Sequence, residues 1–185
     1  LKEVPVSGPR REATVGDFDG NIEKILLGAR EAEVKGASLA VFPELCLTGY
    51  PPLDLLENST FVFQADKALN RLIGETKNLS VTLLVGSILL PSGVSEGGKP
   101  LHNAAIMIRN GEIVSTHHKV LLPSYDVFDE SRYFEPGTSL TVTSLAGESI
   151  ALSVCEDVWN DKTYWARPQY RFDPVEDTMS SQPGI

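Results

Sequence analysis

Cysteine is scarce in this sequence. Its 185 residues include two, Cys46 and Cys155, too few and too far apart for a disulfide framework. That usage fits a reducing cytoplasm better than a secreted setting. Long apolar runs are missing as well. None reaches the roughly 18 residues that suggest a membrane-spanning helix, so no membrane partner is expected. The first eleven residues carry basic groups but no apolar stretch of the kind a secretory signal needs. Position 1 is Leu rather than Met, which fits a processed or incomplete start. Positive charge is in deficit: 16 Lys and Arg face 25 Asp and Glu, giving a net charge of -9. With a pI of about 4.8 and no basic stripe, nucleic acid is not an expected partner. The three histidines, His102, His117 and His118, lack metal-ligand spacing, and no metal site is expected. The adjacent pair would point to opposite faces of a strand. Neither phosphate-binding glycine loop is present, and no internal repeat is evident.

What is present suffices for one sizeable core. Hydrophobic residues make up 42% and charged residues an ordinary 22%, so a single ordered domain is the default. Residues 1–12 read as loose. Asp19 or Asn21 is placed to cap a helix reaching about Lys35. Ile22, Ile25, Leu26, Ala29, Ala32 and Glu33 fall on one helical stripe, and Gly36 stops it. A short buried strand at 38–42 ends at Pro43. Residues 48–52 form a Gly/Pro loop, 53–56 a helical turn, and 59–77 a second amphipathic helix with Phe61, Ala65, Ala68, Leu69 and Leu72 on one face. An apolar strand at 81–90 is followed by a Gly/Ser loop at 92–99, expected to be a mobile surface loop. Strands at 103–109 and 112–117 flank Asn110-Gly111, the strongest short hairpin signal. Strands at 140–143 and 149–154 make a second pair around Ala146-Gly147-Glu148. Beyond Trp165 the prolines multiply and periodicity stops. The expected layout is an irregular segment at 1–13, one α/β domain at 14–165 and an irregular tail at 166–185.

Three segments carry chemistry. Cys155 ends an apolar stretch and is followed at once by Glu156 and Asp157. A buried structural thiol is the commoner fate of a free cysteine. The neighbouring carboxylates weaken that reading, because such groups are rarely buried without a reason. At a strand end the N–H of Glu156 is also free to point at an oxyanion. Glu44 ends a strand behind Pro43, either as a structural group or as a desolvated base. Lys119 is either an edge gatekeeper or a cation that stabilises thiolate and oxyanion charge. The mixed run 125–134 is either a solvated turn or, through its aromatics, a wall for a small polar substrate. Cys46, between Leu45 and Leu47, reads as structural. A thiol, a carboxylate base and a fixed cation are the parts needed for acyl transfer from an amide.

Phe42-Pro43-Glu44-Leu45-Cys46-Leu47-Thr48-Gly49-Tyr50-Pro51-Pro52, the run from Lys119 to Phe134, and Cys155-Glu156-Asp157-Val158-Trp159 together resemble the nitrilase (carbon–nitrogen hydrolase) superfamily. Within it they resemble the glutaminase domains of glutamine-dependent NAD synthetases. The resemblance covers about residues 14–165 and implies an α/β fold, the αββα sandwich. It implies Glu44 as general base, Cys155 as nucleophile, Lys119 as oxyanion stabiliser with the Glu156 N–H beside it, and Glu130 as the supporting glutamate. Tyr125 matches a position that contacts bound glutamine, with Tyr50 and Phe128 as further pocket candidates. The implied reaction hydrolyses glutamine to glutamate and ammonia and needs no cofactor. In the family, the ammonia passes to a separate ATP- and Mg-dependent domain that amidates deamido-NAD, a domain with no counterpart in this sequence. Residues 1–12 do not read as the family's opening strand, and 164–185 do not read as the elements that follow the nucleophile. An incomplete sandwich is therefore expected, one whose open edges favour a homo-oligomer. A non-catalytic fragment or interaction module, and a free-standing amidase for another small amide, are the alternatives.

Overall fold

A computed structural model describes residues 6–7, 12–90, 99–161, 163–164, 167 and 169–181. The loop expected at 92–99 lies outside them except for Lys99. The first helix, α1, spans Phe18–Val34. It begins at Asp17, whose carboxylate accepts the Gly20 N–H at 3.0 Å, ahead of the expected caps. Asn21 instead ties the helix to the loops beside it. Its buried amide donates to the carbonyls of Thr14 and Leu47 at 2.8 and 3.1 Å. Helix α2, Ser59–Glu75, follows a 3-10 turn at Leu53–Glu57 and is capped by Asn58 through the N–H groups of Thr60 and Phe61.

The helices alternate with strands β1 (Val6–Ser7), β2 (Leu39–Val41) and β3 (Thr82–Leu89), which run parallel because each return passes through a helical crossover. Strands β4 (His102–Arg109) and β5 (Glu112–His118) complete a five-stranded sheet in the order β1-β2-β3-β4-β5. Both join antiparallel, and Asn110 and Gly111 form the tight turn with φ of 53° and 77°. The register of this hairpin breaks once. Ile108 pairs with Ile113, but Met107 pairs with Ser115, so Val114 is an extra, bulged residue.

Ile22, Ile25, Leu26 and Ala29 of α1 and Ala68, Leu69 and Leu72 of α2 pack on Ala40, Leu83, Val85, Ala104, Ile106 and Ile108. These residues alternate along their strands, so one sheet face holds the main core. The other face carries a smaller two-stranded sheet, β6 (Thr141–Leu145) and β7 (Glu148–Leu152). Its Leu145 and Leu152 meet Leu39 and Met107. The second hairpin turns at Ala146-Gly147, so Glu148, expected in the turn, opens the strand instead. The layers are helices, sheet and second sheet, the α/β order expected.

Two expectations are corrected. Val6 and Ser7 are not irregular but pair in parallel with Leu39 and Ala40. Two residues are too short a stretch for periodicity to detect. The tail also contains a helix, α3 being the short turn Glu130–Tyr133 and α4 the segment Pro174–Ser181. Asp173 caps α4, accepting the N–H groups of Val175 and Glu176 at 3.0 and 3.1 Å. Pro174 takes the first helical position, where no N–H is required. Tyr170 and Val175 pack against Val120, Leu121 and Leu140. Among the described residues no helix is long and apolar enough to cross a membrane.

Candidate active site

Backbone contact sets the site before any side chain does. At Gly86 of β3 an added Cβ would stand 2.3 Å from the backbone N of Leu45 and 2.6 Å from the Pro43 carbonyl. Only glycine lets the turn carrying Glu44 lie so close to the strand. Gly137 has the same role for Lys119. Its N–H donates to the Lys119 carbonyl at 2.8 Å, and a Cβ there would meet the His118 carbonyl at 2.2 Å. The Lys119 N–H in turn donates to the Asn103 carbonyl at 2.8 Å, so the residue just past β5 is held on both sides.

The Lys119 side chain has no exposed area. Its Nζ donates to Glu44 Oε1 at 2.7 Å and to both oxygens of Glu130 at 2.9 Å. Asn103 Nδ2 spans the same carboxylates, 2.6 Å from Glu44 Oε1 and 3.2 Å from Glu130 Oε2. Tyr50 Oη donates to Glu130 Oε1 at 3.2 Å. Burial works against the charged lysine, but the fields of Glu44 and Glu130 and their hydrogen bonds outweigh it and hold the ammonium above its usual range. Burial pushes Glu130 up, Lys119 pulls it back in part, and Glu44 adds to the rise. Burial and the same two carboxylates also raise the Tyr50 phenol, keeping it a donor.

Cys155 opens the 3-10 turn Cys155–Val158 with a φ of 45°, a left-handed conformation costly for a side chain bearing Cβ. The thiol is free and its residue exposed, whereas Cys46 is fully buried. Partial desolvation of the sulfur, which the rest of the exposed residue does not share, and the charge of Glu44 raise the Cys155 thiol above its ordinary range, with Lys119 drawing it down. The sulfur therefore sits in the field of the lysine–carboxylate cluster with its proton held more tightly than in an ordinary cysteine. Beside it the buried carboxylate of Glu156 accepts from Tyr125 Oη at 3.1 and 3.0 Å and from Tyr170 Oη at 3.0 Å. Phe128 packs between Tyr50 and Tyr125, with ring centroids 6.5 and 5.8 Å apart.

Of the residues singled out in the sequence, Glu44, Lys119, Glu130 and Tyr50 meet directly. Tyr125 and Glu156 form a second contact pair, and Phe128 links the two groups. Sequence reasoning missed Asn103, His117, Asp157 and Tyr170. An asparagine inside the apolar run before Ala104 was the available signal for the first. Nothing in the pattern pointed to Tyr170. Among the described residues no group of three or more His, Cys, Asp or Glu is arranged to hold a metal ion. A cavity of about 540 Å³ lies elsewhere, lined by Leu56, Val62, Phe63, Leu101 and Tyr133 among others. It holds none of the thiol–lysine cluster, so size alone does not mark the chemistry.

A mixed sheet under two helices, with a strained thiol and a buried lysine–dicarboxylate cluster at its edge, defines an α/β sandwich of the nitrilase type. The chain belongs to the carbon-nitrogen hydrolase family, whose sequence pattern matches residues 7–167. It is 39% identical over 160 residues to a glutamine-dependent NAD(+) synthetase of Thermotoga maritima, covering 86% of this chain and 27% of that protein. It is 41% identical over 168 residues to one of Synechocystis sp., covering 90% and 30%. The chain thus spans under a third of these relatives. The glutamine-dependent NAD+ synthetase of Acinetobacter baumannii, solved with ADP, superposes with a TM-score of 0.73 at 28% identity, over 85% of this chain and 28% of that one. An amidase from Nesterenkonia sp., solved with acrylamide added to its active site cysteine, gives a TM-score of 0.71 at 26% identity, over 84% and 59%.

Proposed function

We propose that this chain is the glutaminase part of a glutamine-dependent NAD synthetase and that it hydrolyses the side-chain amide of glutamine at Cys155. The observation that carries the reading is Lys119 Nζ bridging Glu44 and Glu130 at 2.7 and 2.9 Å, within the field of a thiol on a strained corner.

A thiol raised above its ordinary range is not a ready thiolate, so a base must take its proton during attack. Glu44 is that base. As sulfur bonds to the amide carbon, the carbonyl oxygen becomes an oxyanion, stabilised by Lys119 and by the backbone N–H of Glu156. Collapse breaks the C–N bond, and the proton held by Glu44 leaves with ammonia. Glu44 then takes a proton from water, whose oxygen attacks the thioester. Glutamate departs, and the sulfur recovers the proton. Glu130 keeps Lys119 charged and aimed, a role that fits its two contacts to Nζ. Glu156, held by Tyr125 and Tyr170, offers fixed negative charge for the α-ammonium of glutamine, and Tyr50 and Phe128 line the approach. None of these steps calls for a cofactor. ATP and Mg belong to the synthetase domain of the whole enzyme, which uses the ammonia.

Two unpaired cysteines fit work in a reducing cytoplasm, and the β5 edge suits contacts within a homo-oligomer. Ammonia release from glutamine tests the reading. The intact chain is expected to turn over glutamine and Cys155→Ala to show none, whereas equal rates would exclude catalysis by this thiol. The Nesterenkonia amidase likeness favours a second reading, hydrolysis of a small uncharged amide. A panel of glutamine, acetamide and acrylamide separates the two, since recognition through Glu156 requires an α-ammonium.

A further inference from the structure

Asp157 fastens together the two chain segments that bear Lys119 and Cys155. Its Oδ1 accepts the N–H groups of Val120 and Leu121 at 2.8 and 2.9 Å, the residues directly after Lys119. Its Oδ2 accepts the Val154 N–H at 2.9 Å, the residue directly before Cys155. The same oxygen lies 2.8 Å from Nε2 of His117, two residues before Lys119. Both side chains have no exposed area. His117 Nδ1 has no hydrogen-bond partner among the described residues. With the proton on Nε2, Asp157 receives a donor at each of its four acceptor sites, the full capacity of an ionised carboxylate, and Nδ1 is left as an acceptor. A buried carboxylate is tolerated only when it is hydrogen-bonded in this way. An asparagine in its place would turn an N–H toward one of these pairs of donors.

We propose that His117 and Asp157 form a positioning pair for the reaction, fixing the distance between the Lys119 ammonium and the Cys155 sulfur by tying both backbones to one carboxylate. The proposal rests on Cys155 as nucleophile and goes beyond it by naming what holds the nucleophile in place. Neither residue contacts the Lys119–Glu44–Glu130 cluster directly, so the pair acts through backbone geometry. His117 contributes one donor from β5, and a glutamine there retains an N–H able to reach Asp157.

The test uses the full chain with iodoacetamide as probe, following alkylation of Cys155 by peptide mass mapping, together with kcat and KM for glutamine. Asp157→Asn and His117→Leu are expected to slow Cys155 alkylation at least tenfold and to lower kcat by a similar factor with KM within about threefold of wild type. His117→Gln is expected to stay within about threefold of wild type on both readouts. Alkylation at the wild-type rate in folded Asp157→Asn or His117→Leu overturns the proposal. So does His117→Gln slowed as much as His117→Leu. A His117→Leu chain that fails to fold while His117→Gln folds assigns the bond to stability and also overturns it. Failure of the glutaminase reading shows separately, as wild type that is alkylated at Cys155 but releases no ammonia.

Discussion

Two tight hairpins among the described residues, β4–β5 and β6–β7, have similar turns and opposite characters. In the first, β4 and β5, a bulge at Val114 shifts the register by one residue. In the second, β6 and β7, every pair from Thr141–Leu152 to Leu145–Glu148 stays in step. A one-residue shift in a strand exchanges its two faces. The bulge thus brings Lys119 opposite Asn103, with His117 aimed inward at Asp157 and His118 stacked on His102 at 3.9 Å. The second hairpin needs no such correction. It delivers the chain to Val154 and puts its strain into the next residue, Cys155. One hairpin orients by register, the other by a single left-handed residue.

Removing the cation from the first hairpin should have the largest effect. Lys119→Met leaves the partly buried Glu44 and the buried Glu130 together without a counter-ion. Breaking a buried pair in this way costs on the order of 3–5 kcal/mol, and ammonia release should fall at least a thousandfold. Thermal unfolding and steady-state kinetics read both losses. Inserting one alanine between Ser115 and Thr116 tests the register directly. The lengthened β5 must either reverse its inward and outward residues from Thr116 onward or bulge a second time, and kcat is expected to drop at least a hundredfold. A similar one-residue insertion between Ala146 and Gly147 should affect activity less, because that hairpin only delivers the chain. Equal effects would erase the contrast between the two.

Asn103→Leu removes the amide that spans both carboxylates while keeping the volume. Hydrogen bonds to charged groups contribute about 1.5–3 kcal/mol each, so a kcat loss of ten- to a hundredfold is expected, with KM nearly unchanged. The smallest effect concerns His118. Burial, with His102 and His117 adding to it, lowers its pKa to about 4. The unfolded chain binds this proton below its ordinary value of 6.5 and the folded chain does not. Stability is therefore fully present above about pH 6.5 and is lost as pH falls toward 4. The group is half exposed, so screening limits the loss to on the order of 1 kcal/mol. Denaturant midpoints measured from pH 7 to pH 4 should show that slope in wild type and a shallower one in His118→Phe.

The contrast also explains what could be read from the sequence. The helices, the three long strands and the Asn110-Gly111 turn follow from local periodicity and turn chemistry, and all appear near their expected bounds. The grouping of Glu44, Lys119 and Glu130 was implied by the resemblance to the nitrilase superfamily rather than by local pattern. The bulge was not legible, because Glu112 to His117 reads as an uninterrupted strand and nothing marks Val114 as extra. Asn103 and Asp157 act through partners many residues away, which local pattern does not reveal. The helix at Pro174–Ser181 had a legible start in Asp173-Pro174 followed by Glu176, but the proline density of the tail masked it. The strand Val6–Ser7 is defined only by its pairing with β2.

The central claim is that the sulfur of Cys155 becomes a nucleophile because Lys119 and Glu44 stand beside it. Intact-protein and peptide mass spectrometry after incubation with an electrophilic chloroketone analogue of glutamine tests it most directly. The account predicts a single adduct on the peptide bearing Cys155, none on Cys46, and labelling at least a hundredfold slower in Lys119→Met. An adduct elsewhere, or labelling of Cys155 at the same rate without Lys119, would contradict it.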